Sequence, residues 1–363
     1  MPFEIQSDLD GPRPSVAGTG LIALDLVIPT DPLSLPQLWA GGTCGNVLTT
    51  LAFLGWDAYP IARLRDDAAS WQIIEDLARW GVRTDFLRCD ARGSTPVIVQ
   101  HIHCSPGREG THTFSHRCPY CGTRLPGFKP IRIADAALVL QRLPLVETFF
   151  FDRASPGALT LAKHAAERGS LVVFEPSASS DEQLLLKALS VCHILKYSRD
   201  RFSGLGEMAA GMGPDLIIET QGAAGLHFFS CLDGAHCSWQ TSESLPAPKV
   251  LDAAGCGDWC SAGIIHMLGR EGLDGFRRAT RERLQSAIRL GQALASWNCA
   301  FEGARGGMYR AGKAHLQQFL RHLLDGEEEP SQAGESEVTS SSQPIVGDYS
   351  CLSCGVRPAA VSR

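Results

Sequence analysis

No stretch of this sequence stays apolar for the ~18–20 residues that a bilayer-crossing helix requires, so no membrane anchor is expected. The N-terminal run MPFEIQSDLDGPRP also lacks the basic-then-apolar order of an export signal, which points to the cytoplasm. Positive charge is scarce: 33 Lys and Arg stand against 39 Asp and Glu, a formal net charge of −6. The arginines of the 277–289 stretch alternate with Glu282 and apolar residues, as on a solvated helix face, so a nucleic-acid groove is not expected. With 44% apolar and only 20% charged residues, the chain is not a disordered one.

The 363 residues can bury a large core, as one big α/β domain with appendages or as two ordinary domains. The 13 cysteines are spread along the chain, so most should be reduced, buried thiols rather than a disulfide framework. The 37 glycines predict many tight turns.

Apolar, β-branched runs alternate with helical patterns: SVAGTGLIALDLVI, NVLTTLAFLGW, DAYPIARL, SWQIIEDLARWGV, then TFFFDRA, ALTLAKHAAERG, SLVVFEPS, HILKYS and DLIIETQG. That rhythm predicts βαβ crossovers and a mostly parallel sheet flanked by helices. Residues 93–130 break it with the alternating run TPVIVQHIH and a concentration of His, Gly, Pro and Cys, which reads as an insertion projecting from the sheet. From Ser261 to His322 the pattern is helical. We therefore expect a core over 1–325, an acidic disordered linker over 326–345 and a short cysteine-bearing tail over 346–363.

The stretch from Leu251 to Gly263 carries the strongest chemical signal. Following Val250 of an expected strand, small residues at 253–257 let consecutive backbone N–H groups converge at a helix N-terminus, where an anion is stabilised. Asp258 lies beside that nest, placed to accept a proton from a hydroxyl attacking phosphorus. A Gly-rich strand-to-helix turn also arises from tight packing alone, so the full pattern has to carry the reading. Gly307 to Ala314 nearly spells a P-loop, but Ala314 has no hydroxyl for Mg²⁺ and no apolar strand precedes it.

The pattern D-x-x-G-x-G-D over Asp252 to Asp258 resembles the second signature of the PfkB (ribokinase-like) kinase family, D-T-x-G-A-G-D, with Ala253 and Cys256 as departures. Ala40 to Val47 with Leu51, Ala52, Leu54 and Gly55 resembles the first signature, G-G-x-x-x-N-x-A-x-x-L-A-x-L-G. The resemblance, which covers about residues 15–315, implies a Rossmann-like ribokinase fold with a small β lid, and ATP and Mg²⁺ as cosubstrates. It implies Asp258 as catalytic base and an anion hole from the amides of Ala254, Gly255, Cys256 and Gly257. It places Asp25, Gly41, Gly42 and Asn46 on a sugar or nucleoside substrate. It sets Thr220, Gly222, Gly225 and Asp252 on the nucleotide side, with Ala300 to Gly306 near the adenine and a monovalent cation. Arg63 to Ala68 resembles the family's G-x-V-G-x-D-x-x-G segment with its glycines lost. The family's N-x-x-E, whose carboxylate positions Mg²⁺ through water, is missing: this chain reads Tyr197-Ser198-Arg199-Asp200-Arg201, and Asp200 and Glu175 are the substitutes at hand.

Two C-x-x-C-G knuckles remain, Cys118 with Cys121 in the insertion and Cys351 with Cys354 in the tail. Each supplies half of a tetrahedral Zn²⁺ site. A ~25-residue flexible linker spans about 25–30 Å, enough for a single structural Cys₄ zinc to tie tail to insertion. A redox pair, zinc shared between subunits and idle thiols are the competing readings, and His101, His103, Cys104, His112 and His116 stand nearby. A homodimer joined through the lid is a further expectation. The kinase reading, with a sugar first and a nucleoside second, stands against a non-catalytic ligand-binding scaffold of the same fold.

Overall fold

Strands buried on both faces explain the unbroken apolar runs of the sequence, such as TFFF at 148–151, where every residue is buried. The computed structural model describes residues 12–29, 34–103, 111–177, 181–232, 237–326 and 345–346. The chain begins with β1 (Ser15–Thr19), β2 (Ala23–Ile28), β3 (Gln37–Gly41), α1 (Thr43–Phe53), β4 (Asp57–Leu64) and α2 (Ala68–Arg79). Next come β5 (Leu87–Cys89), β6 (Val97–His103), β7 (Thr111–Ser115), α3 (Ile133–Leu140), β8 (Thr148–Phe151), α4 (Pro156–Glu167) and β9 (Leu171–Phe174). They are followed by α5 (Glu182–Leu189), β10 (Ile194–Ser198), α6 (Leu205–Ala209), β11 (Leu216–Thr220), β12 (Leu226–Ser230) and β13 (Ser238–Ser242). A helical block closes the core: α7 (Cys256–Leu268), α8 (Gly272–Arg277), α9 (Arg281–Asn298), α10 (Gly306–Arg310) and α11 (Gly312–Leu320). Side-chain caps start several helices where the sequence offers them, at Asp67, Ser155, Asp181 and Thr280.

Nine strands form the main sheet in the order β13-β12-β11-β10-β9-β8-β1-β4-β5. All pairings are parallel except the edge hairpins β11 with β12 and β12 with β13. Cys231 and Cys237, between the two edge strands, are disulfide-bonded. Helices cover the sheet, and no helix among the described residues is long and apolar enough to cross a membrane. This is the α/β architecture expected from the alternation of patterns.

The lid is built differently from expectation. A second sheet, ordered β14-β3-β2-β6-β7, includes β14 (Ile345–Val346) and takes two strands from ahead of α1 as well as two from the 93–130 segment. The apolar run SVAGTGLIALDLVI therefore divides at Gly20: β1 enters the main sheet, and β2 crosses into the lid to pair in parallel with β6. A Cβ at Gly20 would fall 1.6 Å from Asp152 Oδ1, so only glycine permits the crossing there. Of the expected linker and tail, Gly326, Ile345 and Val346 are described, and Ile345 pairs with Leu38 on β3. The chain thus returns to the lid sheet just ahead of the tail cysteines. Cys104, Cys351 and Cys354 lie outside the described residues.

One buried ion pair fastens the lid side to the helical block. Arg305 and Asp76 side chains are 0% and 2% exposed and meet at 2.8 Å, while the Tyr309 hydroxyl donates to Asp76 at 2.7 Å. Ala40 N–H donates to Asp76 at 2.9 Å, and Arg305 also donates to the Ala40 carbonyl. Asp76→Ala leaves the Arg305 charge buried and unpaired, and chemical denaturation is expected to show a loss of about 3–5 kcal/mol. A variant as stable as the wild type would show that this pair does not hold β3 in place.

Candidate active site

The main-sheet strands β1, β8, β9 and β10 run parallel, so their C-terminal ends share one edge, the edge where open parallel sheets usually bind ligands. Asp152 follows β8 and Glu175 follows β9, while Lys196 sits on β10. Asp152 is fully buried, accepting from Leu21 N–H at 2.8 Å and from Arg153 at 2.7 Å. The first turn of α7 faces this cluster: a Cβ on Gly257 would lie 3.7 Å from Lys196 Nζ and 3.8 Å from Glu175 Oε1.

No strand precedes the 252–258 turn, contrary to the expectation for Val250; residues 247–251 are irregular. The turn is anchored instead by Leu251 and Asp252 N–H groups, which donate to the Cys299 carbonyl at 2.8 and 3.3 Å. Gly255 is the N-cap of α7 with φ 74°. A Cβ there would lie 2.2 Å from the Ala304 carbonyl, so the turn demands glycine for both conformation and space. Packing does not cover it: Ala253 and Gly257 are exposed and Asp258 is half-buried. Not every expected amide faces outward. Ala254 N–H turns back onto Asp252 at 2.9 Å, and Cys256 N–H points to the Ala253 carbonyl at 3.3 Å. Among the described residues the Gly255, Gly257 and Asp258 amides have no recorded acceptor outside the helix, as expected at a helix start.

Asp258 receives a hydrogen bond from Asn46 Nδ2 at 2.7 Å, across 212 residues of sequence. Burial, reinforced by the Glu175 charge, pushes the Asp258 carboxyl up to about 7 against the opposing pull of Asn46 and Lys196. Asn46 is itself buried, and its Oδ1 has no hydrogen-bond partner among the described residues. Asp25 on β2 is buried beside Gly41 and Gly42: a Cβ on Gly41 would fall 1.8 Å from Asp25 Oδ2, and the Gly42 backbone hydrogen-bonds the carboxylate. Burial pushes the Asp25 carboxyl up to about 7, opposed by Arg305. Asp25, Gly41, Gly42 and Asn46 thus line one wall, adjoining Asp258.

A lysine that the sequence reading did not single out completes the cluster. Lys196, 2% exposed, pairs with Glu175 Oε1 at 2.6 Å, and Ser261 Oγ of α7 donates to Glu175 Oε2. Burial works against the Lys196 charge, but Glu175 outweighs it and raises the ammonium above the usual lysine range. A charged residue inside the apolar strand run HILKYS is the signal that marked it. Both Glu175 oxygens are occupied by protein donors, and Asp200 lies exposed in the turn after β10. No group of three or more metal-ligating side chains occurs among the described residues.

Asp252, expected on the nucleotide side, is fully buried and accepts from Gln100 at 2.5 Å, Gly303 N–H at 2.8 Å and Ala254 N–H at 2.9 Å, with His112 at 2.8 Å. Burial opposes its charge, but His112 and the two amides win and hold its carboxyl below the usual carboxylate range. Gln100 and His112 come from β6 and β7, so the lid rests on the turn. Thr220 ends β11, Gly222 opens a short 3-10 turn with free space around it, and Gly225 closes it at φ 94°. In the lid, Cys118 is buried and Cys121 exposed at a turn closed by Gly122 N–H to the Cys118 carbonyl at 2.9 Å.

No protein-family model matches the chain. A fructokinase from Klebsiella pneumoniae is 28% identical over 257 residues, 64% of this chain and 78% of that protein. The crystal structure of aminoimidazole riboside kinase from Salmonella enterica, complexed with the riboside and an ATP analogue, superposes with a TM-score of 0.64 at 21% identity. It covers 84% of this chain and 99% of that one. Arabidopsis thaliana ribokinase complexed with ribose and ATP gives 0.60 at 16% identity, covering 85% and 99%. The fold is that of these ribokinase-type proteins, as the two signatures implied.

Gly257→Ala tests the turn directly. Its methyl meets only ordinary contacts, and alanine favours the helix by about 0.5–1 kcal/mol, so the thermal midpoint should hold or rise. The same methyl stands 3.7 Å from Lys196 Nζ and 3.8 Å from Glu175 Oε1, on the charge cluster beneath the turn; affinity for a nucleotide analogue should fall, and an unchanged affinity would remove the turn from the site.

Proposed function

We propose that the protein is an ATP-dependent kinase that phosphorylates a hydroxyl of a small sugar-like substrate, with Asp258 as general base and the first-turn amides of α7 as anion hole. The observation that carries this reading is the Asn46–Asp258 hydrogen bond, which joins the two separate signature segments beside the exposed first turn of α7. In this reading Asp25, Gly41, Gly42 and Asn46 hold substrate hydroxyls, the partnerless Asn46 Oδ1 accepting one of them. Thr220, Gly222 and Gly225 border the nucleotide, and ATP availability sets the work in the cytoplasm.

The substrate hydroxyl gives its proton to Asp258 as its oxygen forms a bond to the γ-phosphorus; the bond from phosphorus to the bridging oxygen breaks, and ADP leaves. The Gly255 and Gly257 amides, with Cys256 between them, and the helix dipole stabilise charge that develops on the transferring group. Lys196 keeps a fixed positive charge behind the turn, in the region where the family's N-x-x-E carboxylate is missing. Magnesium arrives with the nucleotide as part of the substrate.

Asp258→Asn keeps the Asn46 contact geometry but removes the base. It should leave the fold and ATP binding intact while turnover falls by about 10²–10⁴. The base works only when ionised, and its pKa lies near 7, so turnover should climb as pH rises through about 7 and then level off. Undiminished turnover in Asp258→Asn, measured as ATP consumption across a panel of sugars and ribosides, would refute the assignment.

The same proposal extends to a structural zinc held by Cys118, Cys121, Cys351 and Cys354. Two supports exist: the knuckle turn at 118–122, and β14, which brings the chain back to the lid sheet five residues ahead of Cys351. With β14 covering the β3 edge, two copies joined through the lid would meet along β7. Elemental analysis of the purified full chain should find one zinc per chain, lost in Cys118→Ser; a zinc-free native protein would end this part of the reading.

A further inference from the structure

The first helical residue of α7, in the middle of the anion-binding turn, is a cysteine, and the residue capping the end of α9 is another. Cys256 Sγ lies 3.0 Å from Cys299 Sγ. That is closer than the roughly 3.5–4.0 Å at which non-bonded carbon atoms settle, and about 1 Å short of a sulfur–sulfur bond. The backbones are already locked side by side, because the Cys299 carbonyl accepts from Leu251 and Asp252 at the start of the turn. Both residues are intermediate in exposure, whereas Cys44, Cys192 and Cys260 are buried. Nothing in the phosphoryl-transfer reading uses either sulfur.

We propose that Cys256 and Cys299 form a reversible disulfide that shuts the anion-binding turn, with a peroxide as the oxidant. The bond chemistry stands on the geometry alone; its effect on turnover rests on the kinase reading. The Cys256 thiolate attacks one peroxide oxygen, leaving a sulfenic acid and releasing the other oxygen as water. The Cys299 sulfur then displaces the sulfenic oxygen as a second water, so two thiols lose two hydrogens and one peroxide becomes two waters. The hydrogen bond to Cys299, burial and the Asp252 and Asp258 charges all push the Cys256 thiol up, so the step is slow at neutral pH and quickens in alkali as thiolate forms. The new bond ties the first turn of α7 to the end of α9 and draws the amides flanking Cys256 off the phosphate position.

The full-length protein is treated with hydrogen peroxide at mildly alkaline pH, alkylated, digested without reduction and mapped by mass spectrometry. A peptide linking Cys256 to Cys299 is expected, with turnover lowered by about 10²-fold and both changes reversed by dithiothreitol. Cys299→Ala, and Cys299→Ser as the more conservative partner, should keep turnover through the same treatment. Absence of the linked peptide overturns the proposal, as does a linked protein of undiminished turnover or equal inactivation of the Cys299 variants. If the untreated protein consumes no ATP with any substrate, the kinase reading fails on its own, and the linked peptide together with the affinity for a fluorescent ATP analogue before and after oxidation still decides the disulfide and the closing of the turn.

Discussion

The arrangement depends on a charge balance around one half-buried carboxylate. Asp258 interacts with the charges of Glu175 and Asp152, and three carboxylates in a low-dielectric space cannot all ionise without a counter-charge. Lys196 provides it. The Asn46 hydrogen bond and the Lys196 charge beneath the first turn of α7 both oppose the burial that pushes Asp258 up to about 7. The neighbouring hydrogen bond from Asn46 orients that carboxylate and draws α1 to α7.

The turn that carries Asp258 has little freedom of its own. Gly255 abuts the Ala304 carbonyl, Trp259 Nε1 donates to the same carbonyl at 3.0 Å, and the Cys299 carbonyl receives the amides at its start. Asp252 extends the restraint to the lid through Gln100 and His112. The position of the lid and the geometry of the first-turn amides, the anion hole of the proposed reaction, are therefore linked through a single buried carboxylate. The proposed reaction depends on this link, because phosphoryl transfer draws most of its rate from positioning and preorganised charge.

Much of this was legible in linear order. Strand and helix periodicities gave the main sheet, because β-branched runs buried on both faces have no other use. Local backbone requirements marked Gly255 and the α7 start, and the residue types at 41–46 and 252–258 marked one wall and the turn. The lid was only half legible. Its strands β2 and β3 come from ahead of α1, and their partnership with β6 is a non-local pairing that no local pattern announces. The strand expected before the turn is replaced by irregular chain, since its amides are satisfied by the end of α9 rather than by a sheet neighbour.

By itself, then, the sequence determined the α/β class, the helical closing block, the glycine-dependent turn and the residue types able to hold an anion and take a proton. These follow from propensity, periodicity and steric demands that act over a few residues. Only the tertiary structure decided which charges meet: that Lys196 neutralises Glu175, that Asn46 reaches Asp258, that Asp252 is enclosed by lid and loop, and that Cys256 touches Cys299. Electrostatic energy depends on distance and burial, and both are set by how the two sheets and α7 to α9 pack, not by spacing along the chain.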